Sequence, residues 1–145
     1  MDKLQDFGHT FQIKSIASLM KNQSFLEQIH DILDEKNYDS DSLKWVVKEC
    51  KNYFDEYRKC ITLDVFKVKT SEVENDILRI AIIENLKEIF RYMEAPDLDF
   101  IQDKCLDFFK NQTLKSAILQ SVEILETKGA VKSLINQLAV KMNDG

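Results

Sequence analysis

Apolar residues recur at three- and four-residue intervals along most of the chain, which is the spacing of one face of an α-helix. The clearest stripe lies between about residues 41 and 59, where Leu43, Val46, Cys50 and Phe54 follow the segment DSDS, which is predicted to cap this helix. The same periodicity predicts four more helices in the first part of the chain, at about 10–21, 24–33, 62–69 and 72–93.

Side chains that cap helix N-termini stand at the beginning of several of these stripes. We predict that Thr10 caps the first helix and that Ser24 and Glu27 form a capping box for the second. Thr62 is predicted to cap the fourth. The helix at about 72–93 has the almost wholly apolar centre ILRIAII, so we predict that it is the central helix of a bundle.

The last third of the chain, which Pro96 opens, predicts a helical hairpin. The apolar stripe over residues 98–127 gives a helix of about 30 residues, or roughly 45 Å at 1.5 Å per residue. Lys128 and Gly129 then form a cation–glycine pair typical of a helix end. Because the return helix is short enough to cover only the distal half of the long one, we expect residues 100–109 to pack on the bundle.

The pattern as a whole predicts an all-α protein. We expect a bundle of about five to six helices over residues 1–95 and the hairpin over residues 96–145, both belonging to one structural domain. A chain of 145 residues fits one domain with its own core. With only 3 glycines and 1 proline, short connections between helices are favoured over sheets and long loops.

The distal half of the hairpin carries more apolar side chains than the return helix covers. Large apolar patches mark interaction sites, and twofold self-association is the commonest way to bury them. The predicted oligomer interface consists of Leu114, Ile118, Val122, Leu125, Val131, Leu134 and Leu138. A compact bundle with no exposed patch is the alternative. Trp45 falls off its helical stripe and is predicted either to cover a neighbouring helix or to form a partner surface.

Charge and cysteine usage exclude several classes of protein. The net charge is −5 and the basic residues are dispersed, so we expect little direct DNA binding. The 3 cysteines form no close pair, which excludes zinc and redox motifs and favours core positions for Cys50 and Cys105. No apolar segment reaches the length of a membrane span. We therefore expect a cytoplasmic protein without a membrane partner.

Catalytic motifs are missing from the sequence. Glu27 and His30 match one Glu-x-x-His step of a di-iron bundle, but such a site needs two steps and two further glutamates. A phosphate-binding loop cannot be built from glycines at positions 8, 129 and 145. We predict no catalytic, cofactor-binding or metal-binding residue in this chain.

The chain resembles the N-terminal domain of DnaB-type replicative helicases, most closely the bacteriophage version, over about residues 7–142. The resemblance rests on apolar spacing and a few polar markers. The segments that carry it are FQIKSIASLMKNQSFLEQIHDIL, NYDSDSLKWVVKECKNYFDEYRKCITLDVFK and LDFIQDKCLDFFKNQTLKSAILQSVEIL. Tyr38 stands at the family's aromatic position, and Thr62 and Leu63 at its Thr-Leu pair. Leu43 is a departure, since many bacterial members have histidine there.

The resemblance implies a role in DNA replication as a scaffold. In the family, hairpins pair into dimers, and three dimers form the N-terminal collar of a hexameric ring that docks primase and, in some systems, a helicase loader. ATP and magnesium belong to the motor domain, whose motifs this chain lacks. We therefore expect a non-catalytic part of a larger helicase.

Two alternatives remain open from the sequence. The helicase-binding C-terminal domain of bacterial primases shares this fold and would bind a helicase without forming a ring. A bundle enzyme would need a metal or a cofactor, which metal analysis of the purified protein would reveal.

Overall fold

A computed structural model describes the backbone of residues 3–144 and the side chains of residues 3–141. These residues form helices and connections without any strand, so the predicted all-α class is confirmed. Short 3₁₀ helices lie at Leu4–Phe7 and Glu35–Asn37. The α-helices in chain order are α1 (His9–Lys21), α2 (Gln23–Ile29), α3 (Asp41–Tyr57), α4 (Leu63–Ser71), α5 (Asp76–Arg91) and α6 (Leu98–Asp144).

Two compact units divide the chain, Met1–Phe109 and Lys110–Gly145. The first unit, called the bundle below, contains α1 to α5 and the first three turns of α6. The second contains the remainder of α6, and its described residues 110–144 are called the distal helix.

Two of the predicted caps are found in the structure. The Ser40 side chain, in the DSDS segment, accepts a hydrogen bond from the Leu43 backbone N–H at 3.2 Å and begins α3. The Thr62 hydroxyl accepts one from the Val65 N–H at 3.3 Å and begins α4. Each bond satisfies a backbone donor that the first turn of a helix leaves unpaired.

Three predicted helix starts are wrong by one to four residues. Gly8, with φ of 97°, precedes α1 in a backbone conformation that residues other than glycine rarely adopt. Asn22 rather than Ser24 caps α2, accepting from the Phe25 N–H at 3.1 Å. Asn75 caps α5 by accepting from the Leu78 N–H at 3.1 Å. Asparagine caps helices as well as serine does, and at α2 Asn22 takes the place predicted for Ser24.

The most thoroughly buried helix of the bundle is α1. Every residue from Phe11 to Met20 except Lys14 is buried, and the helix packs against α2, α3 and α5. The helix that carries ILRIAII, α5, packs against α1, α3 and α4, as predicted for a central helix, but it is not buried on all sides. In α5, Ile82 and Ile89 are fully buried, but Ile77 is 83% and Ile80 is 59% exposed, because only one face of α5 meets the bundle.

The beginning of α6 completes the core of the bundle, as predicted for residues 100–109. Ile101, Cys105 and Phe108 are each at most 5% exposed, and Phe109 is fully buried. The Phe109 ring stacks on Tyr38 with 6.4 Å between centroids.

The predicted hairpin turn at Lys128–Gly129 is not found, because α6 continues through both residues. A glycine in a helix interior costs only about 1 kcal/mol relative to alanine, and its neighbours here include good helix formers. The Thr127 hydroxyl also bonds within the helix, to the Glu123 carbonyl at 2.9 Å. Cation–glycine pairs end many helices, but they do not by themselves force the chain out of helical geometry.

Candidate interaction surfaces

Exposed apolar side chains are the main feature of the distal helix. All seven residues of the predicted oligomer interface lie there, with exposures from 44% for Val122 to 68% for Leu125. Further large apolar residues of this helix are also more than half exposed: Leu119, Ile124, Ile135 and Val140. Monomeric proteins rarely expose so many contiguous apolar side chains without a partner that covers them.

Eight of the exposed apolar residues of the distal helix form two stripes, whereas Leu119 lies outside both. The first stripe, within about 80° of arc at 100° per residue, consists of Leu114, Ile118, Val122 and Leu125. The second stripe, within about 100° of arc, consists of Val131, Leu134, Ile135 and Leu138. Their centres lie about 145° apart around a continuous helix axis. One partner lying along one side of this helix therefore cannot cover both stripes.

Trp45 lies on α3 and is partly buried against the core. Its ring packs at a tilt on Phe66 of α4, with 6.3 Å between centroids. The side chain thus covers a neighbouring helix, which is one of the two roles that the sequence left open.

A cleft between α4 and α5 was not foreseen from the sequence. Its volume of about 570 Å³ is within the usual range of ligand pockets, and its walls are mainly apolar. The described residues that line it include the apolar Leu63, Ile83, Leu86 and Phe90 and the cations Lys67, Arg79 and Lys87. The isoleucines of ILRIAII were assigned entirely to the core, which concealed this surface.

Phe100 is a second exposed feature of the bundle that the sequence did not reveal. The side chain is 61% exposed although its neighbours Ile101 and Cys105 are buried. Asp103 and Asp107 follow it at three and seven residues, which places them on the same helical face. The Phe100 position was read as core because it lies in a dense apolar run.

A polar cluster lies inside the bundle. The Ser15 hydroxyl donates to the Gln12 carbonyl at 2.6 Å, and its oxygen lies 2.8 Å from the Tyr38 hydroxyl. Gln12, which is fully buried, exchanges two hydrogen bonds with Asp39 at 3.0 and 3.1 Å. Burial raises the pKa of Tyr38 well above its ordinary value. These bonds fix the connection before α3 against α1.

Two of the three cysteines are core residues, whereas Cys60 is partly exposed. Cys50 and Cys105 are buried as predicted, and the described chain contains no disulfide. Burial raises the pKa of the Cys105 thiol to about 12, and burial also raises the pKa of Cys50. Both side chains are therefore neutral thiols near pH 7, which disfavours a nucleophilic role.

His30 follows the last residue of α2, and its side chain, which is only 14% exposed, lies next to carboxylates. Its Nε2 is 2.7 Å from Asp55 and its Nδ1 is 3.2 Å from Asp31, while its ring lies against Phe54. Within the residues whose side chains are described, no group of three or more potential metal ligands comes together. The Glu27–His30 step is thus not joined by the additional glutamates that a di-iron site requires.

None of the helices in the described part of the chain combines the length and the apolar character that a membrane span requires. Comparisons of the chain with protein-family models, curated proteins and solved structures find no match.

Proposed function

We propose that this chain is a scaffold domain that self-associates through its distal helix, as the N-terminal collar domain of a hexameric replicative DNA helicase. The observation that supports self-association is the exposure of seven predicted interface residues, all between 44% and 68%. The helicase assignment rests in addition on the sequence resemblance, because in the resembled family the helices of this region pair between subunits.

The energetics favour association over an isolated distal helix. Fully burying a leucine, isoleucine or valine side chain stabilises by about 1.5–3 kcal/mol, so burying the half that is exposed here contributes about 1 kcal/mol per residue. A twofold contact that buries one four-residue stripe from each copy would therefore contribute about 8 kcal/mol before the cost of association, which is at least about 4 kcal/mol.

The two stripes favour an assembly larger than a simple pair. Each stripe faces a different side of the helix, so a copy that pairs through one stripe still presents the other to a further neighbour. A collar of paired subunits in a ring satisfies both contacts. In this proposal the ring assembles as a trimer of dimers in the cytoplasm, or in the host cytoplasm if the gene is carried by a phage.

The proposed role involves no bond making or breaking by this domain. The collar holds motor subunits together and docks primase, and in some systems a loader, which raises the effective concentration of primase near the unwound strand. ATP and magnesium would act in the motor part of the parent helicase.

Sedimentation velocity tests the self-association. The variant Ile118→Asp/Val122→Asp removes two side chains of the first stripe, and the control Ser133→Asp/Gln137→Asp adds the same charge at exposed polar positions of the same helix that lie outside the arcs of both stripes. At about 1 kcal/mol per side chain, counted for both copies, the double variant should weaken a dimer by about 4 kcal/mol, or roughly a thousand-fold in Kd.

Three results would count against the proposal. The wild-type chain would remain monomeric at about 0.1 mM, where an association of about −5.5 kcal/mol is already visible. The control would dissociate as readily as the stripe variant. The stripe variant would lose helix content by circular dichroism, which would mean that the aspartates unfold the helix rather than expose an interface. A wild-type monomer that binds a purified replicative helicase would favour the primase-domain alternative.

A further inference from the structure

The α4–α5 cleft combines an apolar interior with cations. Ile83, Leu86 and Phe90 contribute apolar surface, and Lys67, Arg79 and Lys87 contribute positive charge. Acidic side chains are absent among the described residues that line it, although the chain as a whole carries a net charge of −5. The cleft therefore suits an apolar group that is flanked by carboxylates.

The cations of the cleft are available to such a group. Arg79 and Lys87 contact Asp76 and Glu84 of their own helix, and these carboxylates are 75% and 64% exposed. Arg79 also donates to the Val73 carbonyl at 2.9 Å, and this bond leaves its other guanidinium nitrogen for a partner. Exposed ion pairs of this kind contribute little, typically below about 1 kcal/mol. A partner that brings carboxylates next to an apolar anchor can compete with them.

Phe100 and its acidic neighbours have the complementary character. The aromatic ring is 61% exposed, and Asp103 and Asp107 lie on the same face of α6, both exposed. The Lys104 ammonium lies over the Phe100 ring, 5.6 Å from its centroid, and this long side chain can turn towards solvent when the ring is buried.

We propose that Phe100 of one copy of this chain inserts into the α4–α5 cleft of a second copy, with Asp103 and Asp107 next to the cations of the cleft. Both surfaces belong to the bundle, so this contact does not depend on the pairing of the distal helix proposed above. The occupant is a second copy because the chain itself supplies the apolar anchor and the opposite charges. Aromatic anchors in pockets are typical of the centre of protein interfaces.

The contact joins two different surfaces of the same molecule. In a pair joined by such a heterologous contact, one copy still has an empty cleft and the other still has an exposed Phe100. Further copies can therefore add until the rotation between neighbours closes a ring. The cleft contact and the distal-helix contact would then supply two independent interfaces per subunit.

Mixing two complementary variants tests the contact. Both are made in the Ile118→Asp/Val122→Asp background, which suppresses association through the distal helix. Phe100→Ala lacks the anchor but keeps the cleft, whereas Ile83→Asp lacks the cleft but keeps the anchor. Each alone should be a monomer by sedimentation velocity, and an equimolar mixture should form a 1:1 dimer at least tenfold more tightly than either variant self-associates.

Charge variants provide a second arm in the same background, for the case that Ile83→Asp unfolds the bundle. Lys67→Glu should weaken the self-association of the background chain that keeps both anchor and cleft, and added salt should weaken it further, since the contact joins opposite charges. Gln120→Asp serves as the control at an exposed polar position outside the bundle and should leave it unchanged.

The proposal is overturned if the mixture stays monomeric while both variants keep their native circular dichroism. It is equally overturned if the background with intact anchor and cleft remains monomeric at about 0.1 mM. An acidic amphipathic peptide that binds the cleft with a Kd unaffected by Phe100→Ala, in a chain that does not self-associate, would assign the cleft to a foreign partner. Because these experiments omit the distal-helix contact, they can fail while the proposed function stands.

Discussion

The polar cluster inside the bundle allows a prediction about hydrogen-bond direction. Ser15 has one hydroxyl proton, which it donates to the Gln12 carbonyl at 2.6 Å. Tyr38, 2.8 Å away and 2% exposed, must therefore be the donor to the Ser15 oxygen. Tyr38→Phe removes this donor and leaves only a spare acceptor on Ser15. Ser15→Ala leaves a buried phenol hydroxyl without an acceptor.

The two substitutions should therefore differ in cost. Loss of one hydrogen bond in Tyr38→Phe costs about 1 kcal/mol, whereas a buried unsatisfied hydroxyl in Ser15→Ala costs about 1–3 kcal/mol. Alanine recovers up to about 0.5 kcal/mol through its helix propensity. The double variant has no orphaned group, so it should be more stable than Ser15→Ala by about 0.5–1.5 kcal/mol.

Urea unfolding with linear extrapolation measures these differences. The series is made in the monomerising Ile118→Asp/Val122→Asp background so that concentration does not enter the free energy of unfolding. Tyr57→Phe, at a side chain that is 55% exposed, is the matched control and should change stability by less than about 0.5 kcal/mol. If Tyr38→Phe is more destabilising than Ser15→Ala, or the double variant is the least stable, the assigned donor direction is wrong.

Four further outcomes follow from the structure. Phe109→Ala should cost about 3–5 kcal/mol in urea unfolding, because the ring is fully buried, and a loss below about 1 kcal/mol would contradict its core position. Gly129→Ala should raise the free energy of unfolding by up to about 1 kcal/mol and should also raise the helix content, since an added methyl group meets no atom within 4 Å. A turn at this glycine predicts destabilisation instead. Gly8→Ala, at φ of 97°, should destabilise by about 1 kcal/mol or more, and unchanged stability would refute the strained backbone. Folding raises the pKa of Cys50 and Cys105 above the ordinary value of 9.0, so the stability that the two protonated thiols contribute is complete below about pH 9 and is lost as the pH rises. Above pH 9 the free energy of unfolding should fall by about 1.4 kcal/mol per thiol and pH unit. A free energy of unfolding that stays constant between pH 9 and 10 would contradict this prediction.

Sequence periodicity predicted the helices well because the burial of one helical face leaves a regular trace. The stripe through Leu43, Val46 and Cys50 marked α3 correctly, since each residue is fully buried. Periodicity alone could not separate burial from an interface. Ile80 and Phe100 look like core residues in the sequence, and only the packing of the bundle shows that both are exposed.

The helix ends and the cleft were harder for a related reason. Ser24 and Asn22 are both good caps, and which one begins α2 depends on the residue at which the preceding helix ends. The α4–α5 cleft joins Leu63 and Phe90, which are distant in sequence, so no local pattern indicates it. Gly129 carried a turn signal, but a single glycine is too weak to decide between a turn and a continuous helix.

The burial of α1 also bears on how the protein is made. This helix is among the first elements to leave the ribosome, yet the core to which it belongs also contains Phe108 and Phe109, which are encoded nearly ninety residues later. At about 5–20 residues per second, several seconds pass between the synthesis of α1 and the completion of this core. A chain released at Ala95 should therefore aggregate or recruit chaperones, whereas one released at Lys110 contains every residue that the core of the bundle needs.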